Sequence, residues 1–315
     1  AILGVAFLVK AAAWPLGFWL PRTYDAASPP AAALFAIMTK VGVYVMMRLG
    51  LLMFGPAAGP SEGFGLGWLF PAGAVTIILG LGGMLAARDL GRLTGYALMT
   101  SAGALIAILA FADAGALAGG LFYLVVSTLG AAALFLLSGL IGPDGADRFE
   151  EQPALEAYDS EAEHMFTEED ERPVLIPAPI GILSGGYLIC ALIIAGIPPL
   201  PGFLAKFAML APLLDDPPGP VRGGAGILAA LIIASSLFAL IALVRAGIRI
   251  WWTESGRIPP VIRVGEVVPL TALLLTCLVL TFTVEGPYGY IRRAADQVFD
   301  PAQYVRAVLR PETAP

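Results

Sequence analysis

The sequence predicts an all-α, polytopic transmembrane helical bundle, and three observations carry that prediction. Of 315 residues, 58% are hydrophobic and only 13% charged, with a mean hydropathy of +0.83, which excludes an ordinary water-soluble enzyme. Apolar residues fall in runs of about 18 to 25 bounded by Gly, Pro or charge, matching the roughly 20 helical residues that cross a hydrocarbon core of about 30 Å. Charge is segregated: 12 of the 24 acidic residues lie between Asp144 and Glu171, so the net charge of -6 describes one stretch and not a general acidic surface.

Eight spans follow in order, near 1–21, 31–54, 67–87, 91–111, 117–141, 179–214, 223–250 and 264–284. The first is interrupted at Trp14-Pro15-Leu16-Gly17, where Pro15 removes a backbone donor. Ahead of the third, Gly63-Phe64-Gly65-Leu66-Gly67 reads as helix-end packing; it does not precede the strand and helix that a nucleotide loop needs. The sixth is too long for one straight helix. It contains Ile197-Pro198-Pro199-Leu200-Pro201-Gly202, so it should form two half-helices around a non-helical break.

These runs group into four regions. Residues 1–142 form a bundle of five spans, 143–178 an acidic polar loop, 179–284 the broken span with two more, and 285–315 an interfacial amphipathic tail. In that tail the stretch from Ala294 to Leu309 suits one or two short helices, with a restart at Asp300-Pro301. The acidic loop reads most simply as a solvated insertion, and it holds His164, the single histidine. Arg22, Arg88, Arg92, Arg148, Arg172, Arg257 and Arg263 all follow odd-numbered spans, which places those loops in the cytoplasm. Cys190 and Cys277 lie in different apolar runs without metal-ligand spacing, and no phosphate loop or Ser-His-Asp set occurs, so neither a cofactor nor covalent catalysis is expected. Nothing points to nucleic acid. The chain opens at Ala1 inside an apolar run, with no basic n-region or cleavage site, and is expected to be a stretch of a longer protein.

The chemistry lies in the lysines. There are three, Lys10, Lys40 and Lys206, each inside a membrane-length run, whereas the 15 arginines lie mainly at span ends, in loops or in the tail. Either residue costs roughly 2.5 to 3.5 kcal/mol at a helix centre. They differ in ease of proton loss, because a buried amine can give up its proton and a guanidinium stays charged. Lys206 follows the break at Pro198, Pro199, Pro201 and Gly202, and Lys10 precedes the one at Pro15. Backbone breaks at membrane depth occur where a hydrated cavity or protein covers them. Three deep amines, two of them beside breaks, point to a proton or ion path, with Thr39, Tyr96, Ser101, Ser127 and Thr128 as supporting hydroxyls; Tyr44, Thr100, Tyr187, Ser235 and Ser236 are further candidates. Snorkelling or a structural contact is the alternative for any single lysine.

The stretch Leu8-Val9-Lys10-Ala11-Ala12-Ala13-Trp14-Pro15-Leu16-Gly17-Phe18-Trp19-Leu20-Pro21, with Ser28-Pro29-Pro30 and Lys40, resembles the antiporter-like subunits shared by respiratory complex I and Mrp-type cation/proton antiporters. Arg88 to Tyr96 and Gly196 to Phe207 are similar to that family's turn and second broken helix, while the acidic insert and the ending 295–305 look most like the Mrp branch. The resemblance implies a fold of fourteen transmembrane helices with two inverted five-helix repeats, of which this chain would be the C-terminal part. It also implies that Lys10, Lys40 and Lys206 move protons, with Ser127 and Ala131 standing where many relatives carry a histidine or lysine. On that basis the expected function is proton translocation in a multisubunit Na⁺ or other monovalent cation/H⁺ antiporter of a bacterial cell membrane, among other membrane subunits. A redox-driven proton-pumping subunit of complex I or a membrane hydrogenase is the alternative, and a non-transporting scaffold the second.

Overall fold

In the computed structural model, residues 2–141, 178–215, 223–251 and 264–299 are described. The acidic loop expected over 143–178 lies outside them up to residue 177, as do His164 and the tail from Asp300 onward. The described residues are helical, and no strand occurs among them. In chain order the helices are α1 (Ile2–Lys10), α2 (Leu20–Asp25), α3 (Pro29–Phe54), α4 (Leu66–Ala86), α5 (Leu90–Leu109), α6 (Ala114–Ile141), α7 (Ala178–Ala195), α8 (Pro201–Asp215), α9 (Gly224–Trp251), α10 (Val264–Phe282) and α11 (Glu285–Phe299). Helices α3, α4, α5, α6, α9 and α10 are each long and apolar enough to cross a membrane.

Both expected interruptions are present. The first separates α1 from α2, with the chain non-helical from Ala11 to Trp19 and Ala12 at a φ of 55°. Lys10 therefore ends a half-helix. The second separates α7 from α8, with Gly196 at a φ of 73°. Each break contains a cis prolyl bond, Trp14-Pro15 and Pro198-Pro199.

Helix α5 lies at the centre and is buried along nearly its whole length. Small residues let its neighbours approach closely, as expected where lipid supplies no hydrophobic drive between helices. Gly73 of α4 faces Gly103 and Ala107 of α5, Gly80 faces Thr100, and Gly83 receives the ring of Tyr96. Gly119 of α6 does the same for α8, lying directly on the backbone of Ala208 and Met209. Asp113 accepts from the Ala116 N–H at 2.6 Å and so starts α6.

Polar contacts then tie one end of the bundle together. Arg92 at the start of α5 pairs with Asp25 at the end of α2 at 2.8 Å and lies 3.7 Å from Asp89. With the Arg92 side chain 54% exposed, solvent screens this pair, and it fixes register more than stability. Arg245 and Arg249 of α9 reach the carbonyls of Leu85 and Ala87 at the end of α4.

The tail expected from residue 285 is helical from its first residue, so its helix α11, Glu285–Phe299, starts ahead of the 294–309 stretch in which the sequence pattern places a helix. Pro287 falls in its first turn, where a missing N–H costs nothing, and Glu285 complements the helix dipole. Its Ala295 and Val298 pack with Met47 and Leu51 of α3 and with Leu117 and Ala118 of α6, while Tyr288 meets Phe122 edge-on at 5.9 Å.

The contact at Gly119 is a sharp test of this packing. Gly119→Ala should force α6 and α8 apart and cost about 1–3 kcal/mol, seen as a lower thermal midpoint in detergent. Gly226→Ala, where a Cβ meets open space, should leave the midpoint unchanged.

Candidate functional site

Lys40 and Lys206 are buried, at 1% and 7% exposure, and the bundle brings both to the same interior region. Lys40 projects from the middle of α3 toward α5, where its Nζ donates to Ser101 Oγ at 2.5 Å. Ser101 in turn donates to the Leu98 carbonyl at 2.8 Å, so its single proton is committed and its oxygen is free to accept from the amine. One acceptor meets a group with up to three N–H bonds.

Lys206 has a fuller set. Its Nζ donates to Ser236 Oγ of α9 at 2.8 Å, to Ala195 O at 3.1 Å and to Ile194 O at 3.3 Å. The two carbonyls are available for a reason written in the sequence. In a continuous helix they would accept from residues 198 and 199, and both are proline, without an N–H. Gly196 passes so close that a Cβ there would lie 3.0 Å from Nζ, in a backbone conformation that disfavours any side chain.

Between the two lysines lies a cavity of about 30 Å³, large enough for water. It is lined by Thr100 and Ser101 of α5, Tyr123 and Ser127 of α6, Lys206 of α8 and Ser235 of α9. Ser127 donates only weakly to Leu124 O, at 3.3 Å, and Tyr123 has no protein hydrogen-bond partner among the described residues. The rest of the wall is apolar, with Met84, Leu98, Val126 and Ile193 among it, so these few hydroxyls and the Lys206 amine are the groups able to hold a water there.

The other predicted residues lie elsewhere. Lys10 is partly exposed at the end of α1, where Gly42 of α3 lies close enough that a Cβ would fall 3.3 Å from the lysine Cβ. Among the described residues it has no hydrogen-bond or ion-pair partner. Thr39 meets the Tyr24 hydroxyl at 2.7 Å, and Tyr24 also donates to Phe35 O, which locks α2 onto α3. Tyr96 fills the notch at Gly83, and Thr128 donates back to Leu124 O. Pro15 lies in the first break; Pro198, Pro199, Pro201 and Gly202 span the second from its non-helical turn into the start of α8.

Sequence reasoning missed four contributors: Thr76, Tyr24, Tyr123 and the freed carbonyls of Ile194 and Ala195. Thr76, fully buried on α4, accepts from the Trp14 N–H at 2.9 Å while donating to Ala72 O at 2.6 Å, and so caps the first break. The freed carbonyls alone left a readable trace, because the proline pair stands four residues beyond them.

This architecture is that of a multi-pass membrane protein built around two interrupted helices. The chain belongs to the family described as NADH:quinone oxidoreductase/Mrp antiporter, transmembrane region, whose profile matches residues 1–217. It is 44% identical over 317 aligned residues to a probable K(+)/H(+) antiporter subunit of type D from Rhizobium meliloti (strain 1021), covering 98% of this chain and 58% of that protein. It is 29% identical to the Na(+)/H(+) antiporter subunit of the same type from Alkalihalophilus pseudofirmus, covering 97% of this chain and 57% of the relative. The chain thus spans little more than half the length of these curated relatives. Its fold matches a chain in the structure of the Mrp complex from Dietzia sp. DQ12-45-1b with a TM-score of 0.73 and 20% identity, covering 97% of this chain and 60% of that one.

Replacing Thr76 isolates the cap on the first break. Thr76→Val should leave the Trp14 N–H unsatisfied and lower stability by about 1–3 kcal/mol, read from thermal unfolding, while Thr76→Ser should restore most of it.

Proposed function

We propose that this chain is the proton-translocating part of a D-type subunit in a multisubunit monovalent cation/proton antiporter of a bacterial inner (plasma) membrane. One observation carries the reading: Lys206 lines one water-sized cavity directly, and Lys40 reaches the same cavity through Ser101. A proton leaving one amine needs only hydroxyls and water to approach the other. Placing charge on one lysine raises the field at its neighbour and drives the next transfer. The driving force is electrochemical, near 2.3 kcal/mol per charge per 100 mV. Lys10, at the first break, is the natural third station of such a path. Other membrane subunits of the same complex are its partners, as in the antiporters to which its relatives belong by name.

With Ser127 and Ala131 in α6, the middle of the path has no second amine or imidazole, and water must carry the step that a titratable side chain could otherwise take. This makes the cavity a sensitive target. In the assembled complex, Lys40→Met and Lys206→Met should each lower cation/proton exchange in membrane vesicles more than about tenfold, the effect of losing a contact worth about 1.4 kcal/mol or more. Co-purification of the other subunits checks assembly, and normal exchange in either variant contradicts the reading.

Filling the cavity should act like removing a lysine. Ser127→Leu is expected to block exchange, whereas Ser127→Ala, which leaves room for water, should retain most of it. Cation-gradient-driven exchange without any dependence on quinone reduction distinguishes this reading from the complex I-like alternative.

A further inference from the structure

The oxygens around the Lys206 ammonium form a cage with features of its own. Ile194 O and Ala195 O stand at the C-terminal, negative end of α7, Ser236 Oγ faces them from α9, and the water-sized cavity is lined by Ile194 and by Lys206 itself. Helix-end carbonyls freed at mid-membrane are the groups that replace the hydration shell of a small monovalent cation. The ammonium held there is itself such a cation. Its oxygen separations of 2.8, 3.1 and 3.3 Å are all long for direct ligation of Na⁺ or Li⁺, and the shortest suits an ion of the radius of K⁺.

We propose that Ile194 O, Ala195 O and Ser236 Oγ form a binding site for one dehydrated K⁺-sized cation, which takes the place of the Lys206 ammonium when that lysine gives up its proton. The proposal rests on the antiporter reading given above. One proton leaves for the cavity as one cation enters, so the cage holds a single positive charge throughout. Both cannot be present together, because two like charges at contact distance repel strongly in a desolvated site. No carboxylate lines the cavity among the described residues. Tyr123 of α6 lines it, Cys190 of α7 lies one turn before Ile194, and Lys40 reaches it through Ser101 of α5. Exclusive occupancy of one cage is a direct physical basis for exchanging a cation against a proton.

The test uses the assembled complex in vesicles, with exchange measured against K⁺, Rb⁺, Na⁺ and Li⁺ across a pH series, and with Rb⁺ binding to the purified complex. The wild-type KM for K⁺ should rise as pH falls, K⁺ and Rb⁺ should be preferred to Na⁺ and Li⁺, and Ser236→Ala should raise the KM for K⁺ about tenfold, as loss of one ion-directed oxygen contact does. Ser236→Thr should restore it. Lys206→Ala should abolish exchange while leaving Rb⁺ binding that no longer depends on pH. If Lys206→Ala abolishes exchange but Ser236→Ala changes neither the KM for K⁺ nor its pH dependence, the cage is not a cation site and the proton reading stands. A preference for Li⁺ or Na⁺ over K⁺ also overturns the cage. Normal exchange in Lys206→Ala overturns both.

Discussion

Two prolines that cannot donate a hydrogen bond set the character of the interior. Pro198 and Pro199 stand where the carbonyls of Ile194 and Ala195 would otherwise find their helical partners, so two strong acceptors are left facing inward at mid-membrane. In lipid such groups must be satisfied by something. Lys206 answers that demand, one turn into α8, and an otherwise costly charge and an otherwise costly break each remove the other's penalty.

The first break solves the same problem by different means. Pro15 and Gly17 interrupt the helix, but the exposed Trp14 N–H is taken up by the Thr76 hydroxyl of α4, and Lys10 remains at the end of its half-helix without such a cage. The two lysines that do share a cavity differ in the same sense. Lys40 has one oxygen acceptor and Lys206 three, so the two stations of the proposed path differ in how well the protein solvates an ammonium. Asymmetry of this kind gives a path a resting place.

Much of this was legible in the chain. The all-helical membrane class, both interruptions and the burial of Lys40 and Lys206 follow from run length, proline clustering and the partition of lysine from arginine; of the eight expected spans, six are helices long and apolar enough to cross a membrane among the described residues. What could not be read was which hydroxyl meets which amine. A threonine in a membrane helix usually donates to the carbonyl four residues back, as Thr76, Thr94, Thr100 and Thr128 all do, and only tertiary position decides which of them also accepts from elsewhere. Thr39 and Lys40 are adjacent in sequence yet point to different neighbours, one to Tyr24 and one to Ser101. Helices that are apolar on nearly every side carry no pattern strong enough to fix such a rotation. Composition misplaces the start of α11 for a related reason, because its first turn is built from Gly286, Pro287 and Gly289, which read as a breaker.

Helix α9 presents Ser236 at the cage and Ser235 at the cavity, and roughly two and a half to four turns further along it presents Arg245 and Arg249 to the carbonyls of Leu85 and Ala87 at the end of α4. The turn that follows those carbonyls leads into Asp89 and Arg92, and Arg92 grips Asp25 at the end of α2. A continuous set of contacts along α9 and through the turn after α4 therefore links one interrupted helix to the other by a route that bypasses the cavity.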